Sequence, residues 1–343
     1  MQEEANTWQP RHTADLIGHA EAERVLLEAH RSGRLPHAWL LAGQKGIGKA
    51  TLAFRFARFL LCGESGLDMF GTPPANLFVD PSEPVFSRIA SSGHSDLLTV
   101  ERSWNDKTNK WRGEIGVDDV RRLGPFFSQT AAEGGWRIAI VDAADEMNRN
   151  AQNALLKILE EPPSKGLLLL VCHAPGRLLP TIRSRCRMLA LRPLDDTAID
   201  AVLANIMPDV GADERHNLVR LATGSPGRAA SLQAAGGIEL DKVLNGLLAS
   251  LTSGDLTGWH SLADKVSRAK SGESFEVVAE LLDDWVMRQA RTAALAGQAQ
   301  RAQAWLEARI RSAHLFERGD AVNLERKQVL LGVQGALAAA ARH

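Results

Sequence analysis

Tyrosine is absent from these 343 residues, although eight tryptophans and ten phenylalanines are present, and nothing in the sequence explains the bias. Cysteine is scarce too. Cys62, Cys172 and Cys186 stand far apart and form no C-x-x-C pair, which excludes a disulfide framework and a four-cysteine zinc site. A reducing compartment suffices for such a chain. Neither charge is in excess: 40 Lys and Arg against 41 Asp and Glu leave a formal net charge of -1, so no overall basic field recruits nucleic acid. Any DNA contact has to be local or shared with partners. Long apolar runs are missing as well. The longest, Leu167 to Cys172, is far shorter than the roughly 20 residues of a membrane-spanning helix. With its acidic, polar start, "MQEEANTW", the sequence predicts a soluble cytoplasmic protein without membrane association.

A chain of this length fits two or three domains. From about Leu35 to Leu191, short apolar runs alternate with amphipathic stretches, the pattern of parallel strands joined by helices. "AWLLAG" reads as a strand entering a glycine loop, and "WRIAIVD" and "GLLLLVC" read as two further core strands. "KATLAFRFARFLL" places Leu52, Phe56, Phe59 and Leu60 at helical spacing and turns Arg55 and Arg58 to another face. In "NRNAQNALLKILEEPP" a stripe of Ala151, Ala154, Leu155 and Ile158 marks a helix that Pro162 and Pro163 stop.

Glu64 to Gly113 is irregular and rich in Gly, Pro and Ser, with a strand expected at "DLLTVE" and a hairpin around "NDKTNK". It reads as an insertion held by Leu67, Phe70, Leu77, Phe78 and Phe86. After Pro193 the strand signals stop and the pattern is helical to the end, with glycine breaks near Gly224 to Gly227 and at Gly236 and Gly237. The expected organisation is an α/β domain at 1–195 with the insertion near 64–113, a small helical domain at 196–236, and an all-α domain at 237–343. No internal repeat stands out.

The segment "LAGQKGIGKAT" carries the chemistry. Gly43, Gly46, Gly48 and Lys49 fit G-x-x-x-x-G-K between a strand and a helix, where backbone amides turn inward around phosphate oxygens and the lysine reaches the terminal phosphates. The next position, normally Ser or Thr for magnesium, is Ala50, and a methyl group ligates no cation. Thr51 is one residue late, a rotation of about 100° on a helix. An acid at the end of another apolar strand usually organises the metal, and "IAIVDAADEM" supplies Asp142 there. The following residue, often a water-orienting Glu in such ATPases, is Ala143. Asp145 and Glu146 read as carboxylates at a helix N-terminus, favoured by its dipole.

"LIGHAEAERVLLEAHRSGRLPHAWLLAGQKGIGKATLAFRFARFLL", "VDAADEMNRNAQNALLKILEEPP", "LLPTIRSRC" and "GSPGRA" together resemble the clamp-loader branch of the AAA+ ATPases. The resemblance is dense from Leu16 to Leu191, reaches Ser231, and beyond it is carried only by "AVNLERKQVLL". It implies three parts: an AAA+ phosphate-loop domain, a helical lid, and a helical collar joining subunits into a ring. Implied partners are other clamp-loader subunits of the gamma/tau and delta type, the sliding clamp, and primer-template DNA reached through the assembled ring. The two alanines match the branch's non-hydrolysing member, which keeps a degenerate site for ATP or ADP and offers an arginine to its neighbour. By that resemblance Lys49 is the phosphate-loop lysine, Asp142 the metal-associated acid, Arg185 of "SRC" the arginine finger acting in trans, and Arg228 of "GSPGR" the arginine of the lid. From spacing alone, Arg183, Arg185 and Arg187 read as a solvated strand entry, and only the resemblance favours the finger for Arg185.

Relatives of this type usually carry a four-cysteine zinc module after the phosphate-loop helix. Here only Cys62 stands in that region and no metal is expected. The rival reading is an active motor ATPase of the gamma/tau type, or a related AAA+ DNA-remodelling enzyme; Ala50 and Ala143 stand against both. A small-molecule kinase would need a substrate lid in place of the helical C-terminal half.

Overall fold

The computed structural model describes residues 9–63, 74–105, 110–132, 135–252, 256–268, 273–321 and 325–342. Its first strands are β1 (Ala38–Ala42), β2 (Leu97–Val100), β3 (Trp104–Asn105) and β4 (Lys110–Trp111). They are followed by β5 (Arg137–Val141), β6 (Gly166–Cys172) and β7 (Arg187–Ala190). Five of them form one sheet in the order β2-β5-β6-β1-β7, with every pairing parallel. All residues of β1, β5 and β6 are buried, as apolar strands covered on both faces must be.

The helices that cover the sheet explain themselves locally. Leading into it is α1 (Ala20–Arg31); α2 (Lys49–Leu61) follows the glycine loop and is buried at eleven of its thirteen residues. Next come α3 (Pro84–Ala90), α4 (Val117–Arg121), α5 (Leu123–Ser128) and α6 (Arg149–Glu160). Asn148 caps α6 by accepting the Ala151 amide at 2.9 Å, and the helix stops one residue before Pro162. Its buried stripe is Ala151, Gln152, Leu155 and Leu159, while the expected Ala154 and Ile158 are only partly covered. Val120, Leu123, Leu155 and Leu159 close one face of the sheet over Leu40, Val141 and Leu170. After α6 come the short α7 (Pro180–Arg183) and α8 (Asp196–Ile206).

One expectation changes and another gains detail. Leu97–Val100 lies within the range read as an insertion yet forms the outer strand of the main sheet against β5, so the insertion is shorter than 64–113. Four residues are too few for alternation to mark a strand as structural. The hairpin flanks do pair, Trp104 opposite Trp111, while its turn lies outside the described residues. Of the side chains expected to hold this region, Leu77 and Phe86 are buried, Phe78 is 43% exposed, and Leu67 and Phe70 lie outside the described residues.

The second adds to the reading of Arg55 and Arg58: the other face to which they turn is covered by protein. Arg55 Nε donates to Glu23 Oε1 at 2.6 Å, and a second nitrogen donates to the carbonyl of Ala14. Arg58 donates to Thr13 O at 2.6 Å and lies over the Phe86 ring at 4.4 Å. The segment before α1 therefore wraps the polar side of α2, which periodicity alone cannot reveal.

The described chain divides into two compact units, Met1–Gly211 with Val219–Arg228, and Ala212–Leu218 with Ala229–His343. Across the two lie α9 (Ala212–Ala222) and α10 (Pro226–Ala234). The second unit then holds α11 (Gly237–Ala249), α12 (Thr257–Arg268), α13 (Glu273–Leu295), α14 (Ala299–Ala321) and α15 (Arg326–Ala341). Edge-to-face rings at 5.2 Å join Trp285 to Trp305 between α13 and α14. Among the described residues no helix is long and apolar enough to cross a membrane.

Glu23 also accepts the Leu77 amide at 2.9 Å, so one buried carboxylate fixes α1, α2 and the start of the next segment. Glu23→Ala strands the Arg55 guanidinium in the interior. The expected loss is about 3 kcal/mol, the scale of a buried pair broken on one side, read by chemical denaturation. A variant as stable as wild type would show that water reaches Arg55.

Candidate nucleotide-binding site

Parallel pairing brings the carboxyl ends of β1, β5 and β6 together at one edge of the sheet, where open α/β folds bind ligands. Gly43 N donates to Cys172 O at 3.3 Å, and Leu191 N donates to Ala42 O at 2.8 Å, so the loop leaves β1 clamped from both sides. Gly43, Gly46 and Gly48 all have positive φ. At Gly46, φ is +76° and an added Cβ would stand 2.5 Å from Ser225 Oγ, so only glycine fits.

Lys49 opens α2 and is 3% exposed. Its ammonium donates to Gly43 O at 2.7 Å and to Gln44 O at 2.5 Å, curling back over its own loop. Burial pulls its pKa down to about 8, against the opposing charges of Asp142 and Asp145. Asp142 ends β5, its amide donating to Val100 O at 2.9 Å; burial and the charge of Glu101 push its carboxyl up, partly offset by the Ala143 amide and Lys49.

Asp145 and Glu146 do not open a helix. They lie on a 3-10 turn, Ala144–Glu146, entered through a left-handed Ala143, and α6 begins only at Arg149. Asp145 accepts the amides of His173 at 2.8 Å and Ala174 at 3.0 Å, tying the β5 end to the β6 end. Burial opposes its charge, but those amides and His173 outweigh burial and lower its pKa. Glu146 pairs with Arg102 at 3.0 Å.

Two histidines join the site unannounced by any motif. His173 follows β6, and burial together with Lys49 lowers its pKa to about 4, with Asp145 opposing. Its position directly after a core strand beside β1 was the available signal. His19 caps α1, and its Nε2 donates to Ile47 O at 2.6 Å, bracing the loop from outside. Burial is the main cause of its lowered pKa.

The segment "GSPGR" docks directly on the loop. Ser225 Oγ donates to Lys45 O at 2.8 Å, and Gly227 N donates to Gly46 O at 2.9 Å. Arg228 is thereby brought beside the loop, although its Nη1 donates to Thr223 Oγ1 at 2.9 Å. Thr51 is half-buried within α2, two positions past the loop lysine.

The residues present fit a phosphate, through the glycine loop, the N-terminus of α2 and Lys49. For magnesium they offer the Asp142 carboxyl but no hydroxyl at position 50, where a methyl group stands. A phosphate drawn to the loop has to compete with two carbonyls for the ammonium.

Arg185 lies elsewhere. It is exposed just after α7, bonded to Glu160 at the far end of α6. The twelve residues of α6 span about 18 Å, and Glu160 is at the end away from Arg149, which follows the Asp145 turn. Gln152 sets the start of α7: its Oε1 accepts Leu179 N at 2.8 Å and its Nε2 donates to Met147 O at 3.0 Å.

Strand order and loop position define a phosphate-loop α/β domain of the AAA+ layout. Residues 18–195 match the family described as "DNA polymerase III, delta subunit", and the chain belongs to that family. It is similar to "DNA polymerase III subunit delta'" of Pseudomonas aeruginosa, 39% identical over 58% of this chain and 56% of that protein. Against "DNA polymerase III subunit delta'" of Escherichia coli identity is 29%, over 77% of this chain and 73% of that one. "DNA polymerase III subunit tau/gamma" of Haemophilus influenzae is 30% identical over 65% of this chain and 30% of its own length. The match thus spans little more than half of the Pseudomonas relative and less than a third of the Haemophilus one. A solved gamma-subunit-related protein of Thermotoga maritima covers 91% of this chain and 98% of its own, at TM-score 0.42 and 17% identity, too slight a likeness to add to the fold described.

An alanine at position 227 would place Cβ 2.8 Å from Gly46 Cα, a clash of two backbones. Gly227→Ala should lower stability by about 1–3 kcal/mol in denaturant, whereas Gly176→Ala, with open space around it, should change little. Equal effects would deny the close approach. His173 sets a pH dependence. Its folded pKa lies below the ordinary 6.5, so the unfolded chain takes up the proton first, and stability falls as pH drops from about 6.5 to 4. NMR of the ring protons should show His173 titrating near 4, and His173→Gln should flatten that slope; a midpoint near 6.5 would overturn the reading.

Proposed function

We propose that this chain is a largely non-hydrolysing clamp-loader subunit of the DNA polymerase III machinery, which supplies Arg185 to the ATP site of a neighbouring subunit. One observation carries the reading: the loop keeps Lys49 while alanines occupy positions 50 and 143, and an exposed arginine stands about a helix length away. A guanidinium is always charged and forks onto two oxygens, so it suits a transferring phosphoryl group in another chain. Its own socket binds ATP or ADP weakly, through loop amides and Lys49, with little dependence on magnesium. Zinc plays no part. Partners are gamma/tau- and delta-type subunits, the sliding clamp, and primer-template DNA met through the assembled ring. A division at 195 and 236 into phosphate-loop, lid and collar domains belongs to the same proposal.

Alone, the protein should turn over ATP negligibly; a rate on the order of one per second or faster would favour the motor ATPase. In a reconstituted complex, Arg185→Ala should leave assembly intact and sharply reduce hydrolysis at one adjacent site, where such a finger contributes roughly 10³ to 10⁵ in rate. Total turnover then falls only in part. Arg185→Lys should rescue poorly, since an ammonium lacks the fork. Full clamp- and DNA-stimulated activity from Arg185→Ala would remove the finger role.

A further inference from the structure

We propose that Glu160 is the positioning residue for Arg185, its carboxylate holding the guanidinium in the pose a neighbouring nucleotide meets. This rests on the reading of Arg185 as a finger acting in trans. Arg185 is restrained at two points: Nη2 lies 3.0 Å from Glu160 Oε1, and Nη1 donates to Thr181 O at 3.1 Å. A guanidinium has five N–H donors, so two contacts leave three, enough to fork onto a pair of phosphate oxygens. The arginine side chain is 37% exposed and that of Glu160 52%, so the pair lies where a second chain can reach it.

Both supports are themselves fixed. Glu160 is the last residue of α6, and Thr181 lies on α7, whose entry Gln152 of α6 holds through the Leu179 amide. The guanidinium is therefore attached to two elements that are tied to each other. An exposed ion pair of this kind contributes little to the stability of the fold. What it changes is the number of rotamers the long arginine side chain samples before it meets a ligand. In the neighbour's reaction water adds to the γ-phosphorus and the bond to the bridging oxygen of ADP breaks. Arg185 gives up no proton there; it offers charge and hydrogen bonds, and Glu160 touches neither reactant.

The test uses the reconstituted assembly, in which only the motor subunit beside Arg185 retains its phosphate-loop lysine, so that one site reports. Glu160→Gln keeps the shape and removes the charge. The expected result is a fall in kcat of about three- to tenfold with KM for ATP unchanged, the signature of a group that acts only in the transition state. Glu160→Gln should add nothing in an Arg185→Ala background, and sizing should show a normal mixed oligomer. An unchanged or raised kcat from Glu160→Gln, with Arg185→Ala still impaired, overturns the positioning role and leaves the finger standing. A further loss in the double variant overturns it as well. Full activity from Arg185→Ala removes the finger and the role of Glu160 together.

Discussion

The site depends on the ladder between β1 and β6. Ala42 stands opposite Cys172, and the next bond, Gly43 N to Cys172 O, fixes where the loop leaves the sheet. His173 then follows β6 beside the loop, and through the β5 ladder Asp142 arrives at the same edge. A slip of one residue would send every side chain of β1 to the opposite face. With five buried residues in β1 and seven in β6, such a slip would trade one packed face for another and misplace Lys49 along with it.

Given that register, the charges around Lys49 form one coupled set. The ammonium is buried and bonded to two carbonyls, Asp142 is within reach of its field, and Asp145 is held by two amides of the β6 turn. A magnesium ion would normally supply much of the positive charge at this edge. Lys49, the helix N-terminus and backbone donors stand at this edge, and burial first, with Lys49 second, holds the His173 pKa low. Position 50 supplies no hydroxyl to this set and position 143 no carboxylate, while Asp142 stays beside Lys49.

How much of this was legible in the sequence follows from the range of each interaction. The strands β1, β5 and β6, the glycine loop, α2 and the proline stop after α6 rest on neighbours within a few residues, and composition and period reveal them. What covers Arg55 and Arg58 was not legible, because their partners, Ala14, Glu23 and Thr13, lie 32 to 45 residues away. Asp145 was read as a dipole carboxylate, but its two amides belong to a strand turn 28 and 29 residues on. The bond from Ser225 to Lys45 spans 180 residues, beyond any pattern in the chain. Resemblance pointed at Arg228 without predicting that Ser225 Oγ and the Gly227 amide of its segment bond to the loop.

Helix α6 gives these observations a common geometry. Its first turn abuts the Asp145 and Met147 side of the socket, its middle places Gln152 against the entry to α7, and its last residue meets Arg185. The helix rises about 18 Å from its first residue to its last, so Glu160 and the Arg185 it meets stand at its other end. Arg185 draws its support from the last residue of α6, whereas Lys49 curls over the glycine loop beside the ends of β5 and β6. The two ends are therefore separable in chemistry and joined in structure. The alanines at positions 50 and 143 do not bear on where the arginine sits, since it is placed by Glu160, Thr181 and the Gln152 contacts, none of which involves either position.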